Sequence, residues 1–242
     1  YEKVRKQLGE DIIFEETGIQ FMPINTIYQL AAAQEESPEL LSFANKLIPM
    51  GDWFNYMFSG VAVGDASMVS TTQLYNPRNQ EWSKPLIDAL KLPHDLFPEI
   101  VPCGSVLGSI TQQVAESTGL ASNTKVIASC SHDTGAAVVG SPAQSGQKDW
   151  AYLSSGTWSL LGVELDEPVI TSKSRQYNIT NELGLYNSIR LLKNISGLWV
   201  VQECRRKWES EGYSYDYSTL TEMASAASSL PVSYTHLRAH ET

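Results

Sequence analysis

The chain has 242 residues, with 17 lysines and arginines against 27 aspartates and glutamates, a formal charge of −10 at neutral pH. That balance argues against nucleic acid as a partner, because phosphate backbones are met by a basic field, and no apolar run reaches the roughly 18 residues of a membrane span. Cys103, Cys130 and Cys204 are odd in number and lack CxxC spacing, so reduced buried thiols and a cytoplasmic setting are expected rather than disulfides or zinc.

In chain order, Thr26 to Gln34 and Pro38 to Leu47 read as helices, Pro38 taking a first-turn position. A third helix is expected over Gly51 to Phe58. Tyr75 to Gln80 is a turn, and Ser83 to Leu90 a helix whose Pro85 falls in the first turn. Helix Gly108 to Thr118 stops at Gly119. Val126 to Cys130 is a short β-compatible apolar run, a buried strand.

The strand runs into Ser131-His132-Asp133-Thr134-Gly135-Ala136-Ala137-Val138. Ser131 can cap a helix starting near Asp133, whose free N–H groups would face an anion, while Gly135 and the alanines permit close backbone approach. Two readings of Asp133 stand side by side: a reactive carboxylate held in a tight turn, or a plain helix cap. A Pro/Gly/Ser-rich connector from Ser141 to Gln147 marks a domain boundary.

Beyond the connector, two apolar, aromatic-rich runs flank Ser155-Gly156-Thr157. This reads as a β-hairpin in which Gly156 supplies a positive φ, and its tip carries hydroxyls and amides that suit phosphate oxygens. An ordinary Ser-Gly turn is the plainer alternative. From Asn194 the chain reads as one helix ending at Gly212. Gln202 would lie roughly 12 Å of helical rise along from Asn194, beside an apolar stripe with Trp199 in the core. Gln202 is then either a ligand contact or a satisfied polar residue at the stripe's edge.

The blocks Thr17 to Leu30, Ser70 to Tyr75, Ser131 to Thr134, Leu153 to Leu160 and Leu191 to Trp199, in this order, closely resemble the FGGY carbohydrate kinases. The resemblance implies an α/β, ribonuclease-H-like (actin-like ATPase) fold and two domains: 1–143 as part of the sugar-binding domain and 144–231 as the start of the nucleotide-binding domain. It makes Asp133 the catalytic base, with His132, Thr134 and Asn194 as sugar contacts and Thr157 and Gln202 on the nucleotide side, none of them a metal ligand. The implied reaction is phosphorylation of L-rhamnulose at O1 by ATP with Mg2+. Xylulose, fuculose or gluconate are the alternative sugars, since the Asp133 turn and the hairpin are shared across the family. One departure stands out: Leu183-Gly184-Leu185 replaces the paired glycines usual after Asn181-Glu182, which puts that loop in question.

Residues 233–242 read as one frame of a transposase adaptor used in sequencing libraries, so 232–242 is expected to be a non-native tail. Its His236 and His240, at i, i+4 spacing, are therefore discounted as a metal pair. The chain starts at Tyr1, and neither the family's opening phosphate loop nor its later glycine-rich adenosine stretch is recognisable. A fragment truncated at both ends, catalytically inert by itself, is the further alternative.

Overall fold

The computed structural model describes residues 1–143 and 149–228; the tail, with His236 and His240, and most of the connector lie outside them. The helices are α1 (Glu2–Leu8), α2 (Glu10–Thr17), α3 (Thr26–Glu36), α4 (Pro38–Phe43), α5 (Met50–Ser59), α6 (Ala66–Ser70), α7 (Lys84–Ala89), α8 (Gln112–Thr118), α9 (Asp133–Val139), α10 (Ser172–Gln176), α11 (Trp199–Ser210) and α12 (Tyr217–Ala226). The strands are β1 (Val63–Asp65), β2 (Tyr75–Asn76), β3 (Glu81–Trp82), β4 (Glu99–Val101), β5 (Val106–Ser109), β6 (Lys125–Ile127), β7 (Tyr152–Ser155), β8 (Trp158–Leu165), β9 (Thr180–Leu183) and β10 (Ile189–Ser196).

Two compact units divide the chain: Tyr1–Tyr152 with Gly162–Lys193, and Leu153–Leu161 with the chain from Asn194 onward. In the larger unit, α1, α2, α3 and α7 bury Val4, Leu8, Ile13, Ile27, Leu30, Leu86 and Ile87 in one core. Ala66, Val69, Tyr75, Leu183 and Ile189 form a second. β1 pairs in parallel with β4, and β5 antiparallel with β6. The smaller unit holds the β7–β8 turn, α11 and α12. The sheet order is β7-β8-β10-β9.

Several expected elements differ. The helix placed over Gly108 to Thr118 starts only at Gln112, capped by the Thr111 side chain. Gly108, at φ 130°, instead sits where the β5–β6 register shifts, a bulge that glycine accommodates. α4 stops at Phe43, because the following segment is extended and the Leu47 amide donates to the Leu96 carbonyl at 2.7 Å. At Leu183 no glycine-like geometry arises: it is buried in β9, and the positive φ angles fall on Tyr186 and Asn187 instead.

Candidate functional site

The Asp133 turn lies in the larger unit, between β6 and α9. Its helix cap is His132 rather than Ser131: the imidazole Nδ1 accepts the Gly135 amide at 3.3 Å. β6 ends at Ile127, short of the expected Cys130, and only Val126 of it is buried; the helix starts at Asp133, which puts His132 rather than Ser131 at the cap position. Asp133 thereby becomes the first helical residue, its side chain 98% exposed. Its Oδ1 accepts the Thr134 amide at 2.6 Å and the Thr134 hydroxyl at 3.4 Å. Thr134 itself is buried. The carboxylate is thus anchored through one oxygen and open to solvent, the condition a proton acceptor needs.

Beneath the turn lies a polar hub for which sequence reasoning assigned no role. Asp65, at the end of β1, is fully buried. Its Oδ1 accepts the amide and hydroxyl of Ser67, the amide of Ser131 at 3.2 Å, and the Cys103 thiol at 3.5 Å. The Ser67 hydroxyl accepts the His132 amide at 3.2 Å. Asp52 on α5 completes the hub by accepting the Asp65 amide at 2.9 Å, and burial pushes its carboxyl above the usual range against that bond. The signal was available: Val61-Ala62-Val63-Gly64 is an apolar run that ends in Asp65, a capping residue.

A second support comes from β9 and β10. Arg190 is fully buried, donates from Nε to the Leu183 carbonyl at 3.2 Å, and lies 3.1 Å from the Glu182 carboxylate. Its Nη2 stands 3.5 Å from His132 Nδ1. A Cβ on Gly135 would meet the Cys130 sulfur at 2.6 Å and the guanidinium at 3.4 Å, so only glycine lets these groups close on α9. Burial pushes the His132 imidazole below its ordinary value; Glu182 opposes this and Arg190 adds to it. Asn181, for which no role was proposed, is structural: its Nδ2 donates to the Gly18 carbonyl at 2.9 Å and its Oδ1 accepts the Val169 amide at 2.7 Å.

All three cysteines are free thiols, but only Cys103 and Cys130 are buried; Cys204 is exposed, contrary to expectation, because α11 presents it on a face without packing. The two buried thiols act on each other: Cys130 raises the Cys103 thiol, with burial adding to it, and Cys103 lowers that of Cys130. Among the described residues no helix is long and apolar enough to cross a membrane, and no group of His, Cys, Asp or Glu is placed to hold a metal ion.

The smaller unit gathers the other candidates. β7 and β8 are neighbours joined through Gly156 and Thr157, yet Gly156 does not take a positive φ. Its amide instead folds back onto the Trp158 carbonyl at 2.8 Å. The start of α11 docks on this turn, Leu198 and Trp199 donating to the Gly156 and Thr157 carbonyls at 2.9 and 3.1 Å. Gly197 is needed there, because a Cβ would stand 2.5 Å from the Gly156 carbonyl oxygen. Gln202 Nε2 donates to Thr157 Oγ1 at 3.3 Å, so the two residues expected on the nucleotide side meet.

Asn194 does not share their helix. It lies half-buried in β10, and α11 begins only at Trp199. The apolar residues of Ile189 to Ser196 continue the sheet, and the close approach at Gly197 forces the turn before the helix can start. The expected helical spacing between Asn194 and Gln202 is therefore replaced by a strand–turn–helix passage.

Comparison with known proteins matches residues 1–140 to the N-terminal domain of the FGGY family of carbohydrate kinases and residues 151–239 to its C-terminal domain. A rhamnulokinase of Enterococcus faecalis is 41% identical over 88% of this chain, and one of Bacteroides thetaiotaomicron is 41% identical over 86%. The chain spans 41% and 42% of the lengths of these relatives. Among solved structures, a ligand-bound xylulose kinase from Lactobacillus acidophilus superposes with a TM-score of 0.77 at 20% identity, covering 94% of this chain and 45% of that one. The fold is therefore the mixed α/β, actin-like ATPase fold of the FGGY sugar kinases.

Proposed function

The chain belongs to the FGGY family of carbohydrate kinases, and on that premise we propose that it is part of a rhamnulokinase, an enzyme that moves the γ-phosphoryl group of ATP to O1 of L-rhamnulose. The observation that carries this reading is the Asp133 carboxylate, fully presented to solvent on a turn whose backbone is tied down by buried polar groups. The relatives of the same name support the choice of sugar.

In this reading Asp133 accepts the proton of the O1 hydroxyl as that oxygen forms its bond to the γ-phosphorus and the bond to the β-phosphate oxygen breaks, releasing ADP. Phosphoryl transfer has a loose transition state, so positioning does most of the work and a weak base suffices. His132, Thr134 and Asn194 contact the sugar, and Thr157 and Gln202 the nucleotide. Magnesium enters as part of MgATP, a substrate, since Mg2+ is commonly held through phosphates with few protein ligands.

The test uses the enzyme encoded by the complete gene. Asp133→Asn lowers kcat by about 10²–10⁴-fold with little change in sugar affinity, and undiminished turnover removes Asp133 from the role. Faster phosphorylation of xylulose, fuculose or gluconate than of L-rhamnulose reassigns the sugar. The chain alone, at under half the length of its relatives, is expected to give no sugar phosphate.

A further inference from the structure

His132 and Asp133 stand side by side in the turn, and either side chain could in principle take a proton from a sugar hydroxyl. The groups around the imidazole separate them. His132 Nδ1 faces the Gly135 amide at 3.3 Å and Arg190 Nη2 at 3.5 Å. A backbone N–H and a guanidinium can only donate, so Nδ1 must offer them a lone pair. In the neutral ring the proton then resides on Nε2. The ring is four-fifths buried, its side chain 18% exposed, which leaves it little water to rearrange with.

Arg190 is an unusual choice for this position. A cation against the start of a helix opposes the helix dipole, and full burial adds a desolvation penalty. Glu182, at 3.1 Å, offsets both. The pair lies on neighbouring strands in register, Arg190 opposite Glu182, so two rigid elements set the guanidinium under the imidazole.

We infer that Arg190, held by Glu182, is a positioning residue that fixes His132 as the Nε2–H tautomer, making His132 a hydrogen-bond donor to a neutral oxygen of the sugar and leaving Asp133 as the proton acceptor. The part of this that concerns the sugar rests on the kinase reading above; the tautomer does not. A ring donor of this kind selects a carbonyl or hydroxyl oxygen and cannot serve as the base, because its one free lone pair is committed to Gly135 and Arg190.

The test is nitrogen NMR of the intact chain labelled at histidine. His132→Asn identifies the resonance among the four histidines. At neutral pH the wild type is expected to show the Nε2–H form. Charged groups facing the ring are Arg190 from β10, Glu182 from β9, Asp65 from β1 and Asp133 from α9. Removing the cation in Arg190→Met is expected to raise the pH at which the ring titrates, and removing the anion in Glu182→Gln to lower it. Arg190→Lys is expected to restore the direction of the wild type. An Nδ1–H form in the wild type overturns the inference without any change to Arg190 or Glu182. Movement in the same direction in Arg190→Met and Glu182→Gln also overturns it. Neither result depends on sugar or ATP, so the kinase reading can fail separately.

Discussion

The carboxylate of Asp65 accepts the backbone amide of Ser131 at 3.2 Å, joining the end of β1 to the turn that presents Asp133 across 66 positions of sequence. The same oxygen also serves Ser67, whose hydroxyl accepts the next amide, that of His132. One buried group thus dictates the path of two consecutive peptides. Asp65→Ala leaves these donors without their acceptor in a largely buried site, and a loss of about 3 kcal/mol in folding stability is expected. Ser67→Ala, which removes one acceptor, is expected to cost about 1–2 kcal/mol. Urea denaturation gives the totals, and hydrogen exchange should show early opening at Ser131 and His132. Unchanged protection of these amides in Asp65→Ala would contradict the role assigned to the hub.

Gly135 is a packing requirement. A Cβ there would stand 2.6 Å from the Cys130 sulfur, closer than van der Waals contact allows. Gly135→Ala is therefore expected to destabilise by about 1–3 kcal/mol through overpacking. Because the obstruction is one named atom, Cys130→Ala should relieve part of the loss. The double variant is expected to be more stable than the sum of the single changes predicts, and strict additivity in denaturation would place the strain elsewhere.

His132 sets a pH dependence whose sign follows from its burial. Its folded-state value is depressed, chiefly by desolvation. As pH falls through the ordinary histidine value, near ~6.5, the unfolded chain gains a proton that the folded chain refuses. Stability is thus fully present above that point and lost below it, down to the folded value. The difference in stability between wild type and His132→Asn should shrink as pH drops from 8 to 5. A difference constant over that range would show that the imidazole titrates alike in both states.

Local patterns made several elements legible. Pro38 and Pro85 open helices and Gly119 closes one, because these residues act through their own backbone. The Asp133 turn was also visible, since the strand, the short polar run and the small residues are contiguous. What stayed hidden depends on contacts distant in sequence. Nothing local ties Arg190 to His132, because the two stand 58 positions apart and the chain between them carries no shared pattern. Ile195, Leu198 and Trp199 fit a helical stripe that would carry Asn194 onto a helix, whereas sheet pairing and the tight contact at Gly197 decide otherwise.

With Thr157 and Gln202 on the nucleotide side, as proposed, the bond between them separates binding from folding. It spans 3.3 Å near the surface, so breaking it leaves both groups to water and should change stability by less than about 1 kcal/mol. A hydrogen bond to a charged phosphate contributes about 1.5–3 kcal/mol, or roughly 10–100-fold in an equilibrium constant. In the enzyme from the complete gene, Thr157→Val is thus expected to raise the KM for MgATP by about 10-fold or more while the chain remains as stable as before. Gln202→Ala should act in the same direction, and the double variant should lose less than the product of the two, since each side chain orients the other. A rise confined to the sugar KM would move this turn from the nucleotide to the acceptor side, and the hydroxyl of Thr157 would then have no part in holding ATP.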